Sequence, residues 1–204
     1  MSLREQLTAK PWITQRGVIA NSKGLSGSTP KVALGAFIGV ASVLFGLFIA
    51  AYFIRMGYSD WRSLPIPALL WLNTVVLIGG SIFMQWSMIS ARHSNQEGMR
   101  FGLYLGGGCA IVFLVGQWLA WQQLGQLGYF VDSNPSNGFF YMLTAVHGLH
   151  LIGGLVAWIR AVIRVHSNSK GNFARIRMIL ELCAIYWHFL LLVWLVLFVL
   201  ILVT

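Results

Sequence analysis

The sequence predicts an all-α fold: an integral-membrane bundle of five transmembrane helices, with the N-terminus cytoplasmic and the C-terminus outside. Three observations predict it. First, 57% of the 204 residues are hydrophobic and only 9% are charged, with a mean hydropathy of +0.73. Soluble domains carry roughly 25% charged residues, so this chain has too little polar surface to coat a globule in water. Second, the apolar residues gather into five segments, each long enough as a helix to cross ~30 Å of hydrocarbon. Third, the basic residues fall unequally on the two sides of those segments.

Taken in chain order, residues 1–31 form a basic tail, predicted to be cytoplasmic, that contains Arg4, Lys10, Arg16, Lys23 and Lys31. It has no apolar core, so it does not read as a cleavable signal peptide. Ser2 and Glu5 have capping-box spacing, which predicts a short surface helix ending before Pro11. The stretch NSKGLSGSTPK that follows reads as a tether. The transmembrane domain, 32–204, has spans at about 32–54, 67–90, 100–123, 138–164 and 176–203. Backbone groups in lipid must be satisfied within the segment, so these are helices rather than strands.

Orientation follows from Lys and Arg. Of the fourteen, only Arg55 and Arg62 lie on one side. The tail, Arg92, Arg100, Arg160, Arg164, Lys170, Arg175 and Arg177 lie on the other, which is therefore cytoplasmic. The formal net charge of +9 sits in loops rather than along a face, which argues against a nucleic-acid partner.

Cys109 and Cys183 lie in apolar runs with no CxxC pair, so neither a disulfide framework nor a zinc site is supported. Gly102 and Gly106 make a GxxxG step in the third span, with Gly107 and Gly108 following; Gly79–Gly80 and Gly153–Gly154 mark further narrow faces. Small residues let helix backbones approach closely in lipid.

Polar groups inside a membrane are costly, and each is a candidate site. They are Asn73, Gln85, Gln117, His147, His150, Glu181 and His188. Counted from the cytoplasmic arginines, His150 and His188 lie at nearly equal depth, with His147 one turn further outward. Glu181 lies two turns from His188 on the same face. Three readings of this cluster stay open: hydrogen bonds that brace the helices, histidine ligation of a haem or metal, and a proton relay. Paired buried polar groups are usually structural, and Glu181 is the only acid well within a span. No Ser–His–Asp, paired-carboxylate or phosphate-cradling pattern is present. A free-standing transporter would need inverted repeats or broken helices, and neither is evident.

FFYMLTAVHGLHLIGG (139–154), ELCAIYWHF (181–189) and VWLVLF (193–198) resemble subunit III of the haem–copper respiratory oxidases, cytochrome c oxidase among them. LNTVVL (72–77), GLFIAAYF (46–53) and Gln117 extend the resemblance over roughly residues 33–203. The five-span count resembles the shorter bacterial form, which lacks two helices of the seven-span form. The resemblance implies a subunit of an oxidase that reduces O2 to water, with no active site, haem, copper or other metal in this chain. It implies partners in catalytic subunits I and II, which hold those cofactors. It further implies bound phospholipids, support of assembly and proton uptake, and a place in the bacterial cytoplasmic membrane. His147, His150, Glu181, His188, Trp187, Gln117 and Asn73 are then expected to form a buried structural polar network, with Glu181 and His188 the partners of the two fourth-span histidines. Alternatives are an accessory protein of a nitric oxide reductase or a haem-binding membrane cytochrome. The chain departs from the family where it usually carries acids, at Leu190, at Ala120 and near Val40 or Ala41.

Overall fold

The structure, a computed structural model, describes residues 29–62, 65, 67–167 and 173–203. Among these are five α-helices: α1 Thr29–Met56, α2 Ala68–Arg92, α3 Gln96–Gln126, α4 Pro135–Ser167 and α5 Phe173–Val203. All five are long and apolar enough to cross a membrane. The expected tail helix before Pro11, and the tether as far as residue 28, lie outside the described residues. Ile38–Thr204 form one compact unit; of the separate unit Met1–Phe37, residues 29–37 are the opening turns of α1.

The helices run past the apolar segments because the chain's capping residues, not its hydropathy, end them. At the α2–α3 turn, Ser94 adopts a left-handed φ of 60°, and the Asn95 N–H donates back to the Ser90 carbonyl at 2.9 Å. This six-to-one bond closes α2. Asn95 then caps α3, its side-chain oxygen accepting from the Gly98 N–H at 3.1 Å. Gly128, at φ +86°, ends α3, and the Tyr129 N–H donates to the Leu124 carbonyl at 3.0 Å. Asn134 accepts from the Ser136 N–H at 3.1 Å, and Pro135 opens α4 at the position where a missing N–H costs nothing.

Short turns make consecutive helices antiparallel neighbours, and α2 and α3 cross at glycine. A Cβ on Gly102 would meet the Phe83 carbonyl oxygen at 2.7 Å and the Ser87 nitrogen at 2.8 Å; one on Gly80 would meet the Cys109 Cβ at 2.9 Å. Ser87 seals the crossing by donating to the Met99 carbonyl at 2.7 Å. α5 packs against α2 and α4, and α4 also packs against α3. From Ile38 onward α1 behaves differently. No Cα of this stretch comes within 8 Å of a Cα in another described helix, and contact is made by side chains. Phe45 and Tyr52 reach into a core with Leu143, Val193, Leu197 and Leu200. At its far end Tyr52 meets Trp61 and Phe139 edge-on, with ring centroids 4.8 and 5.6 Å away.

Two predictions follow from these contacts. Gly102→Ala should destabilise the purified protein by about 1–3 kcal/mol, because the added methyl meets backbone that cannot swing away. Gly108→Ala, where a Cβ meets nothing within 4 Å, should be neutral or gain up to about 1 kcal/mol of helix propensity. Thermal unfolding of both variants in mild detergent checks the pair. The second concerns pH. Arg55 donates to both carboxylate oxygens of Asp60, from Nη1 to Oδ1 at 2.7 Å and from Nη2 to Oδ2. This hydrogen bond holds the Asp60 carboxyl below its usual value of 3.8. A carboxyl lowered on folding adds stability above its unfolded value and loses it as pH falls through the folded one. Asp60→Asn should therefore melt slightly below wild type at neutral pH, and the two curves should converge as pH falls below 3.8. The pair is exposed, so the difference is small.

Candidate functional site

The intramembrane polar residues separate into three places rather than one network. The first lies on α4. His147 is completely buried, and neither ring nitrogen has a hydrogen-bond partner among the described residues. Aromatic rings enclose it: Trp194, Phe113 and Phe45 have centroids 5.4, 5.7 and 6.5 Å away. One turn on, His150 donates from Nδ1 to the Val146 carbonyl of its own helix at 2.8 Å, and Phe45 lies 5.3 Å away. The α4–α5 contact at this level is made by Tyr186, whose hydroxyl donates to the His150 carbonyl at 2.8 Å and whose ring covers Gly154.

The second place is the α2–α5 seam. His188 does not face α4. Its Nε2–H donates to the Gln85 side-chain carbonyl at 3.0 Å, and its Nδ1 accepts from the Ser81 hydroxyl. The two bonds are mutually consistent and place the ring proton on Nε2. Helix rotation explains the departure from the expected pairing. Tyr186 and His188 are two residues apart, ~200° around the helix, so when Tyr186 faces His150, His188 faces α2. Glu181, half-buried, shares the His188 face two turns away.

The third place joins α2 and α3. Asn73 donates to the Gln117 side-chain oxygen across a long 3.5 Å, and Gln117 Nε2 is buried without a partner among the described residues. Apart from these three places, Trp187 of α5, also buried, donates from its indole to the Gly106 carbonyl of α3 at 3.3 Å.

Four indoles act in this way. Trp158 donates to the Leu103 carbonyl at 2.7 Å, Trp194 to the Thr74 hydroxyl at 2.9 Å and Trp121 to the Thr144 hydroxyl at 3.1 Å. Of these, reading the sequence singled out only Trp187, and it passed over Ser81, Thr74 and Thr144. The available signal was spacing: Ser81 and Gln85 are four apart on one face of α2. Chemically, these groups hold helices together. His188 has both ring nitrogens engaged, and the described residues bring no three His, Cys, Asp or Glu side chains together as a metal site.

A pair of substitutions separates the two kinds of histidine. His188→Ala strips partners from Ser81 and Gln85 and should cost on the order of 1 kcal/mol. His147→Phe removes two unpaired nitrogens and should change stability by less than about 1.5 kcal/mol in either direction. Unfolding in mild detergent measures both; a larger loss at His147 than at His188 would reverse the assignment.

Residues 31–203 match the family described as cytochrome c oxidase subunit III. The cytochrome c oxidase subunit 3 of Thermostichus vulcanus is 29% identical over 177 residues, covering 83% of this chain and 84% of that protein. The probable cytochrome c oxidase subunit 3 of Nocardia farcinica is 31% identical over 175 residues, covering 82% and 85%. The cytochrome c oxidase subunit 3 of Synechocystis sp. is 29% identical over 169 residues, covering 80% and 70%. With five apolar helices long enough to span a bilayer and a family match over nearly all of its described length, the chain is a multi-pass membrane protein and belongs to the cytochrome c oxidase subunit III family.

Proposed function

We propose that this chain is a structural subunit of a bacterial haem–copper terminal oxidase, set in the cytoplasmic membrane beside catalytic subunits I and II. In this reading O2 reduction belongs to those partners, and this chain supports their assembly, binds lipid and sustains proton uptake during turnover. One observation carries the non-redox role: the imidazoles within the spans are committed to packing and protein hydrogen bonds. His188 uses both ring nitrogens, His150 turns Nδ1 onto its own helix, and His147 is sealed by three aromatic rings. Both nitrogens of His188 are taken by protein partners and three rings enclose His147, so neither ring is placed to ligate haem or copper.

The basic helix ends support a cytoplasmic N-terminus. Arg177 donates to the Ala91 carbonyl at 2.9 Å and to Ser94 at 3.1 Å, while Tyr104 meets His166 at 3.1 Å. These bonds bring the ends bearing Arg92, Arg100, Arg164 and Arg175 to one side, opposite Arg55 and Arg62. On that side Arg164, Ser167 and Arg175 line a cavity of about 200 Å3, a setting suited to a lipid phosphate.

Mild-detergent purification of the tagged chain from its native membrane should bring down a haem-containing, histidine-rich subunit. The chain expressed alone should show no Soret band. A stoichiometric Soret band from the isolated chain, or purification without oxidase subunits, overturns the reading.

A further inference from the structure

The seam between α2 and α5 opens outward as a groove of about 430 Å3, lined by Ile78, Ser81, Ile82, Gln85, Ile89 and His188 among others. Most of this lining is apolar, as any lipid-facing surface would be. The exception is the polar rung of Ser81, His188 and Gln85 across its floor. Because the His188 Nε2–H takes the Gln85 carbonyl oxygen, the Gln85 amide nitrogen is left with two donors. Neither has a hydrogen-bond partner among the described residues, and, unlike Gln117 Nε2, this nitrogen is not sealed inside the bundle.

The rung lies deep. The Arg177 clamp on Ala91 and Ser94 marks the basic end of both helices. Gln85 is six residues from Ala91 and His188 eleven from Arg177, ~9 and ~16 Å inward at 1.5 Å per residue. That places the rung toward the middle of a ~30 Å hydrocarbon layer. In the hydrocarbon layer acyl chains accept no hydrogen bond, so an uncovered amide there is costly. Polar residues at this depth normally face the inside of a bundle. A rung facing outward therefore lies on the inside of a larger one.

We infer that this groove receives a transmembrane helix of a neighbouring oxidase subunit that presents a hydrogen-bond acceptor at the depth of Gln85. The inference rests on the subunit reading above and adds which face meets the partner. Such a helix fills the apolar walls with side chains and takes the Gln85 N–H groups with a Ser, Thr, Asn, Gln or main-chain oxygen.

The test uses the full complex in native membranes. A photo-crosslinking amino acid replaces Ile82, an exposed wall of the groove, and separately Ile152 on α4 as a lipid-facing reference. Position 82 should give an adduct with an oxidase subunit, while position 152 reports the yield of lipid adducts. In parallel, Gln85→Leu should lower the co-purified oxidase subunits several-fold while the variant chain melts in detergent no lower than His188→Ala, which loses the same bond across the seam. Lipid-only adducts at position 82, adducts to a second copy of this chain, or wild-type recovery of oxidase subunits with Gln85→Leu would each overturn the inference. If no oxidase subunit accompanies even the wild-type chain, the subunit reading itself fails, and the groove assignment with it.

Discussion

The bundle depends on how closely other helices approach the glycine strip of α3. Between residues 102 and 107 that helix presents bare backbone on two sides. α2 lies so near that a methyl on Gly102 would meet the Phe83 carbonyl oxygen. From the other side, the Trp158 ring covers Gly107 and donates to the Leu103 carbonyl, and Trp187 donates to the Gly106 carbonyl. Three helices are thus referenced to two turns of a fourth. In lipid there is no hydrophobic drive to bring helices together, so close van der Waals contact and interhelical hydrogen bonds must do it. The glycines supply the first and expose carbonyls for the second.

The choice of tryptophan as the donor has a physical reason. An indole has one N–H and no acceptor, so a single carbonyl or hydroxyl satisfies it completely while its ring fills space. Histidine and glutamine have more polar sites to satisfy, and within the helices the structure shows the difference, although the buried indole of Trp61 in the α1–α2 connection has no partner among the described residues. The indoles of Trp158, Trp187 and Trp194 are each paired, whereas His147 and Gln117 retain unpaired nitrogens. Where several polar side chains do meet, at Ser81, Gln85 and His188, they form a chain that ends in donors facing outward.

The number and placement of the helices were readable in the sequence, since length and hydropathy suffice for that. The turn after α2 was also coded locally, in the SARHSNQEG stretch that holds the left-handed Ser94 and the cap at Asn95. Pairings between helices were not readable. These helices are apolar on nearly every face, so hydrophobic periodicity, which normally tells which side turns inward, carries little here. Depth could be counted from the arginines, and Tyr186 does meet α4 at the level of His150. Rotation could not be counted, and ~200° of it sends His188 to α2 instead. Close packing at the glycines was anticipated, but which indole would lie over which glycine was not, because that too depends on rotation.

The positions at which the resemblance would place acids, Leu190, Ala120 and Val40 or Ala41, bear on the unpaired imidazole. Ala41, Ala120 and Leu190 are all buried, so a carboxylate at any of them would enter a low-dielectric interior and require a donor. Ala41 lies one turn before Phe45 on the same face of α1, and Phe45 contacts both His147 and His150. An acid at 41 would therefore point toward the region where His147 now has two nitrogens unused. With alanine there, the interior loses a charge that would have been expensive to bury, and His147 keeps the place of a polar residue while packing as an aromatic ring. In this chain His147 is held by ring contacts, and the side-chain hydrogen bonding of His188 lies at the seam between α2 and α5.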